Sequence, residues 1–540
     1  MDGMPKGLRP ERADIDHAYR LDDRYGRTEG QVYLSGTQAL VRLLLLQADR
    51  DRRAGLNTAG FVSGYRGSPL GGLDQALWQA QAHLDARAIR FVPGINEDLG
   101  ATAVMGSQQV ESSGEGTVEG VFGLWYGKGP GLDRSGDVLK HANAYGSSPH
   151  GGVLAVAGDD HGGVSSSMPH QSDLAMIAWS MPVLNPSGVR EYLEFGLYGY
   201  ALSRFSGAWV GFKAISESVE SAATIQLPSL DQGFLPVAFE PPPGGLHQRW
   251  PDLPGLAIEE RLAAKIAAVK AFARVNRIDR TVLGTGGWLR IVTTGKAHLD
   301  LMEALRLLGI GPAEAAEIGL SVHKIGLSWP LEPDFALSAA RGAEEILVVE
   351  EKAPVVEGQL KDLLYHLPAG ERPRAVVGKT DEFGARLLPA TGELRPWIVA
   401  KALVERIGHR LPERDFSTRL ADLLPDEAPA ATGPSLARTP YFCSGCPHNS
   451  STRVPEGSKA LAGIGCHFMA SWMDRDTVGL SQMGGEGVSW IGQAPFSKRR
   501  HIFQNLGEGT YFHSGLLAIR QAVAAKATIT YKILFTTPSP

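Results

Sequence analysis

Cysteine is scarce in this chain: there are three in 540 residues, and all fall between positions 443 and 466. An odd count excludes a fully paired disulfide framework, and the length excludes a small secreted scaffold. Clustering of the three points instead to a metal site. Long apolar runs are also missing. The most apolar stretch, Leu40 to Leu46, carries Arg42 and is followed by Asp49 and Arg50. It falls far short of the roughly 20 apolar residues a membrane-spanning helix needs. The N-terminus has no hydrophobic segment of signal-peptide length, so a cytoplasmic location without membrane association is expected. A net charge of −5 supplies no field that would draw in nucleic acid, and no nucleic-acid partner is expected.

Glycine is abundant, at 65 residues, alongside 34 prolines. That composition suits tight turns and loop-built sites. The length requires several cores. Residues 1–28 read as a polar tail. Residues 29–240 alternate strands and helices, which implies a parallel sheet covered on both faces. Ser35 and Gln38 have capping-box spacing and open a helix running to Gly55. Strands are expected at Ala59 to Ser63, Ile89 to Val92, Val153 to Ala157 and Trp209 to Ala214, with a helix from Leu73 to Ala86. Residues 241–280 read as a proline-rich linker followed by a helix. A second α/β domain covers 281–410, a Pro-, Ala- and acid-rich linker 411–439, and a third, partial α/β domain 440–540.

In the third domain, the strand beginning at His501 runs into Gly507-Glu508-Gly509-Thr510, then a helix and a strand. A carboxylate therefore sits at the C-terminal end of a strand in a βαβ unit, where open sheets bind ligands. Glycines there let backbone N–H groups approach a diphosphate, and Glu508 is placed to hold Mg2+. A plain tight turn gives the same tripeptide. Cys443, Cys446 and Cys466 have the spacing Cys-x2-Cys-x19-Cys. Iron–sulfur, zinc completed by His448 or His467, and unligated thiols all remain open on spacing alone. Glu97 follows a strand at a helix start, a position the helix dipole favours for any acid. Arg66 lies in a loop after a strand, as many surface arginines do.

Several blocks together resemble the indolepyruvate:ferredoxin oxidoreductase family, within the wider 2-oxoacid:ferredoxin oxidoreductases. They are Phe442-Cys-Ser-Gly-Cys-Pro-His-Asn449, Gly463-Ile-Gly-Cys-His467, Gln482-Met-Gly-Gly-Glu-Gly487, Asn505 to Gly515, Gly64-Tyr-Arg-Gly-Ser-Pro69, Gly94-Ile-Asn-Glu97 and Gly158-Asp-Asp-His161. The resemblance implies three doubly wound parallel-sheet α/β domains of thiamine-diphosphate-enzyme type: pyrimidine-binding, transketolase C-terminal-like and partial diphosphate-binding. It implies thiamine diphosphate and Mg2+, held by Gly484, Gly485, Glu486, Gly507, Glu508, Gly509 and Thr510, with Asp160 facing the cleft. Glu97 becomes the acid that hydrogen-bonds the aminopyrimidine, and Arg66 a clamp for the substrate carboxylate. Cys443, Cys446 and Cys466 become ligands of a [4Fe-4S] cluster whose fourth ligand lies downstream.

The implied activity is oxidative decarboxylation of an aryl 2-oxoacid to acyl-CoA. Coenzyme A and ferredoxin would be partners, and the enzyme would be a homodimer. Two features depart from the family pattern. Position 508 is Glu where the family has Asp, and the stretch from Thr536 replaces an Asn-Asp pair. The chain is accordingly expected to be the N-terminal portion of a longer enzyme. An inactive truncated fragment and a non-redox thiamine decarboxylase are the alternatives.

Overall fold

The computed structural model describes residues 16–231, 233–252, 255–424 and 440–535. The chain divides into two compact units, residues 1–424 and 425–540. Unit 1 contains strands β1 (Gln31–Ser35), β2 (Thr58–Gly64), β3 (Ile89–Phe91), β4 (Gly120–Lys128), β5 (Val153–Asp159), β6 (Val183–Leu184), β7 (Val210–Ile215), β8 (Ala222–Gln226), β9 (Arg280–Leu283), β10 (Leu289–Thr294), β11 (Leu320–Ile325), β12 (Leu327–Trp329), β13 (Glu345–Val349) and β14 (Ala375–Val377).

Seven of these form one sheet in the order β12-β6-β7-β5-β4-β2-β3, parallel except at the β12 edge. Five form a second sheet, β14-β13-β10-β11-β9, parallel except for β9. Helices pack on both sheets, giving the doubly wound α/β class that the alternation of elements implies. In the first sheet the chain runs from β2 outward to β3, then returns to β4 on the other side of β2. Connections leave β2 and β4 in opposite directions, opening a crevice at their C-terminal ends. The second sheet has the same switch between β10 and β13.

Local sequence explains most of the elements. Helix α1 (Gly36–Arg53) begins with a complete capping box: Ser35 Oγ accepts from Gln38 N at 3.2 Å, and Gln38 Oε1 accepts from Ser35 N at 3.0 Å. Such a cap contributes about 1 kcal/mol. Its leucines are buried against the first sheet. Strand β4 escapes the sequence reading because three glycines lower its strand propensity. Packing leaves no room for a side chain at any of the three: a Cβ on Gly123, for example, would come within 2.9 Å of Val104 in α2 (Glu97–Ser107).

Several expectations are corrected. The expected helix from Leu73 to Ala86 is two, Leu73–Gln79 and Gln81–Asp85, meeting at Ala80. Residues 16–28 of the expected tail are folded: Tyr25 is buried, and its carbonyl accepts from the buried Arg42 guanidinium. Strand β12, from the expected second domain, completes the edge of the first sheet by pairing with β6. The two domains therefore share a sheet and form one compact unit. Phe416 is buried in the second core, with Leu420 and Leu423 against it, so the expected linker from 411 is packed as far as Leu423. The rest of that segment, residues 425–439, lies outside the described residues, as do the expected departures from Thr536 onward.

Unit 2 contains β15 (Ala460–Leu461), β16 (Thr477–Val478), β17 (Ile502–Gly507) and β18 (Ile529–Leu534) in the order β16-β15-β17-β18, all parallel. Helix α3 (Leu516–Ala524) crosses between β17 and β18. This sheet switches direction between β15 and β17. Among the described residues, no helix is long and apolar enough to cross a membrane.

Candidate active site

The crevice between β2 and β4 gathers residues from four loops. Glu97 opens α2 behind Asn96, whose Oδ1 accepts from Leu99 N at 3.0 Å. It is 5% exposed. Its carbonyl accepts from Trp125 Nε1 at 2.9 Å, which ties the helix start to β4. Its carboxyl lies on the loop after β4, where a Cβ on Gly131 would come within 2.5 Å of Oε1. Arg66 is exposed on the loop after β2. Asp160 follows β5, and its carboxylate is engaged by its own loop: it accepts from Val164 N at 3.1 Å, Ser165 N at 2.6 Å and Ser165 Oγ at 2.9 Å. Burial opposes its charge, but these donors hold its pKa below the usual carboxylate range. Asp160 thus shapes a turn. Lys128 ends β4 in the same crevice, a position to which the sequence assigns no role.

The second switch point is filled. A small cavity there is lined from both sheets, by His161, Asp173, Asn185 and Lys213 on one side and Thr294, Lys296, Glu350 and Glu351 on the other. Lys296 donates to Asp300 at 2.9 Å, Glu351 at 3.1 Å and the Leu394 carbonyl at 2.6 Å. Glu351 Oε2 meets His161 Nδ1 at 2.5 Å. Burial works against the Glu351 charge, yet His161 and Lys296 bring its pKa down to about 2. Asp159, at the end of β5, is fully buried among His170, Ser172 and Lys213. This network locks the two sheets together.

The unit 2 switch point is different again. Asn505 and Glu486 are fully buried, and His467 is 1% exposed. Both amide atoms of Asn505, Glu486 Oε1 and His467 Nε2 have no hydrogen-bond partner among the described residues. Their residues meet at Gly463, just after β15, where His467 Nε2, the Asn505 main chain and the Glu486 stem come close. A Cβ there would lie 2.7 Å from the Asn505 carbonyl, 2.9 Å from His467 Nε2 and 3.0 Å from Glu486 Cγ. Buried polar groups without partners cost about 1–3 kcal/mol each, so such a cluster marks a place for a polar ligand. The other Glu486 oxygen accepts from Gly484 N at 2.6 Å, and burial raises its pKa. Burial, with His448 close by, pushes His467 down to about 4. Gly484 turns at φ +91°, and a Cβ on Gly485 would meet Gln482 at 2.5 Å. Gly507 ends β17 beside His467, and Thr510 is buried under that strand end. Gly509 is open, and Glu508 is half-buried within electrostatic range of His448 and His467.

This arrangement fits the diphosphate of thiamine diphosphate: glycine-lined backbone, buried polar atoms lacking partners, and the C-terminal edge of a parallel sheet. The sequence names the glycines, Glu486 and Glu508 but misses Asn505 and gives His467 only as a zinc alternative. A Gln504-Asn505 pair inside an otherwise apolar strand was the available signal. Metal grouping does not follow. Among the described residues, no three His, Cys, Asp or Glu side chains gather closely enough to hold a metal ion. Cys443 and Cys466 are exposed, and Cys446 is half-buried. In this arrangement the three cysteines do not gather into a cluster site.

The family model described as the indolepyruvate oxidoreductase domain matches residues 280–425. The indolepyruvate oxidoreductase subunit IorA of Methanothermobacter thermautotrophicus is 24% identical over 538 residues, covering 95% of this chain and 76% of that protein. Its counterpart from Methanothermobacter marburgensis is 24% identical over 505 residues, covering 89% and 73%. Among solved structures, the 2-oxoglutarate:ferredoxin oxidoreductase of Magnetococcus marinus aligns with a TM-score of 0.49 at 16% identity, covering 70% of this chain and 66% of that one. The chain is thus similar to the indolepyruvate oxidoreductase family, through the family model over residues 280–425 and through both IorA proteins along most of its length.

Proposed function

We propose that this oxidoreductase chain binds thiamine diphosphate and oxidatively decarboxylates an aryl 2-oxoacid of the indolepyruvate type. The acyl group would pass to coenzyme A and the electrons to ferredoxin, with the enzyme acting as a homodimer. The observation that carries the reading is the cluster of buried, unpartnered polar atoms around Gly463 at the unit 2 switch point. The names of the relatives support the substrate class.

Thiamine diphosphate, when bound, supplies the electron sink that lets a 2-oxoacid lose CO2. The residues of this chain then have separate tasks. In unit 2, the backbone at Gly463, Gly465 and Gly507 would hold the diphosphate, with Asn505 Nδ2 and the His467 ring as the side-chain donors to it. Glu508 is the carboxylate that would face Mg2+. In unit 1, Glu97 is the buried acid that would hydrogen-bond an aminopyrimidine ring, in a setting largely shielded from water. No electron step is derived through Cys443, Cys446 and Cys466, whose thiols are not gathered.

The test is CO2 release from indolepyruvate by the purified chain supplied with thiamine diphosphate and Mg2+, which needs no electron acceptor. Release that depends on the cofactor and falls at least about 100-fold in Glu97→Gln is expected, the scale of losing a positioned acid–base group. Absence of cofactor-dependent release with every aryl 2-oxoacid would overturn the reading.

A further inference from the structure

Lys128 is the last residue of β4, on the side of the crevice where the chain switches between β2 and β4. Its aliphatic stem runs beneath the loop after β2: a Cβ on Gly67 would come within 2.8 Å of Lys128 Cδ. The side chain is half-buried. Its ammonium makes no hydrogen bond or ion pair with any described residue. Burial lowers its pKa, while Asp160 and Glu97 nearby partly offset that effect. Neither carboxylate clamps it. Asp160 spends its oxygens on Val164 and Ser165, and Glu97 lies against the Gly127 and Gly131 backbone.

A partly desolvated ammonium without a direct partner is uncommon, because its charge loses hydration and gains nothing in return. Such a group is placed to receive an anion. Arg66 is the alternative cation in this crevice, but it is exposed, and an ion pair in open water contributes little. We propose that the Lys128 ammonium binds the carboxylate of the 2-oxoacid substrate and so sets substrate affinity and position. The proposal rests on the 2-oxoacid reading above and assigns that reading's carboxylate contact to Lys128. Contact with the carboxylate before it leaves as CO2 stabilises bound substrate without favouring its loss. Its removal should therefore raise KM more than it lowers kcat.

The test compares calorimetric binding of two probes to the intact chain. Phenylpyruvate carries the carboxylate, and phenylacetone has a methyl group in its place. Lys128→Gln is expected to weaken phenylpyruvate binding by about tenfold or more, the cost of a lost charge-assisted contact. Phenylacetone binding should be unchanged, which also shows that the variant folds. Lys128→Arg should recover phenylpyruvate binding to within a few-fold of wild type. If wild type and Lys128→Gln bind phenylpyruvate equally, the assignment is wrong and the 2-oxoacid reading survives. If wild type binds no aryl 2-oxoacid, both are wrong.

Discussion

Lys296 and Lys128 both stand beside a point where the chain reverses direction in its sheet, Lys296 two residues beyond the end of β10 and Lys128 as the last residue of β4. Lys296 has three hydrogen-bond partners within 3.1 Å and is sealed between the sheets. Lys128 has none among the described residues. Both positions arise from the same topology, so topology alone does not decide whether a crevice binds a ligand. What decides it is whether the protein fills the crevice with its own charges. The β10/β13 crevice is closed by His161, Glu351 and Lys296 and serves as a joint. At the β2/β4 crevice the Lys128 ammonium has no partner among the described residues, and in unit 2 the β15/β17 crevice keeps buried polar atoms without partners among them.

The largest expected effect breaks this contrast at its filled end. Lys296→Met removes one member of a buried charge network, takes a cation from Glu351 and leaves Asp300 without its ion-pair partner. It should cost about 3–5 kcal/mol in unit 1. Lys128→Met in the open crevice should change stability by no more than about 0.5 kcal/mol. Denaturant unfolding checks both, and equal losses would erase the distinction between joint and site.

A smaller effect concerns pH. Burial and the facing Glu393 carboxyl raise the Glu217 pKa to about 7, with Lys296 offsetting part of the shift. An acid with a raised folded pKa is protonated in both states below about 4.5 and exacts no penalty there. The penalty grows as pH climbs to about 7 and is then constant. Glu217→Gln mimics the protonated form, so its melting temperature should gain on wild type between pH 5 and pH 8. A difference that does not vary with pH would contradict the raised Glu217 pKa.

Much of this architecture is written locally. The capping box at Ser35, the βαβ unit from 502 to 534 and the periodic helix after β10 depend on residues within a turn or two of each other. What escaped reading depends on distant partners. Strand β4 carries glycines because α2 must pack against it, and β12 crosses from one expected domain into the other's sheet. In the candidate site, Gly507 and Glu486 stand out as motif residues. Asn505 becomes notable only when the fold leaves its amide buried without a partner. The contrast between Lys128 and Lys296 is likewise invisible in sequence, since the partners of Lys296 include Glu351 and the Leu394 carbonyl.

The central claim is that the crevice around Gly463 holds the diphosphate of thiamine diphosphate. Its most direct test is equilibrium binding of thiamine diphosphate with Mg2+ to the full chain, comparing wild type with Gly463→Ala. The added methyl would press on the Asn505 carbonyl, which cannot swing aside as a side chain does. Saturable binding by wild type, lost in a Gly463→Ala protein that retains its circular dichroism, is the expected result. Undiminished binding by the variant, or no binding by wild type, would contradict the account.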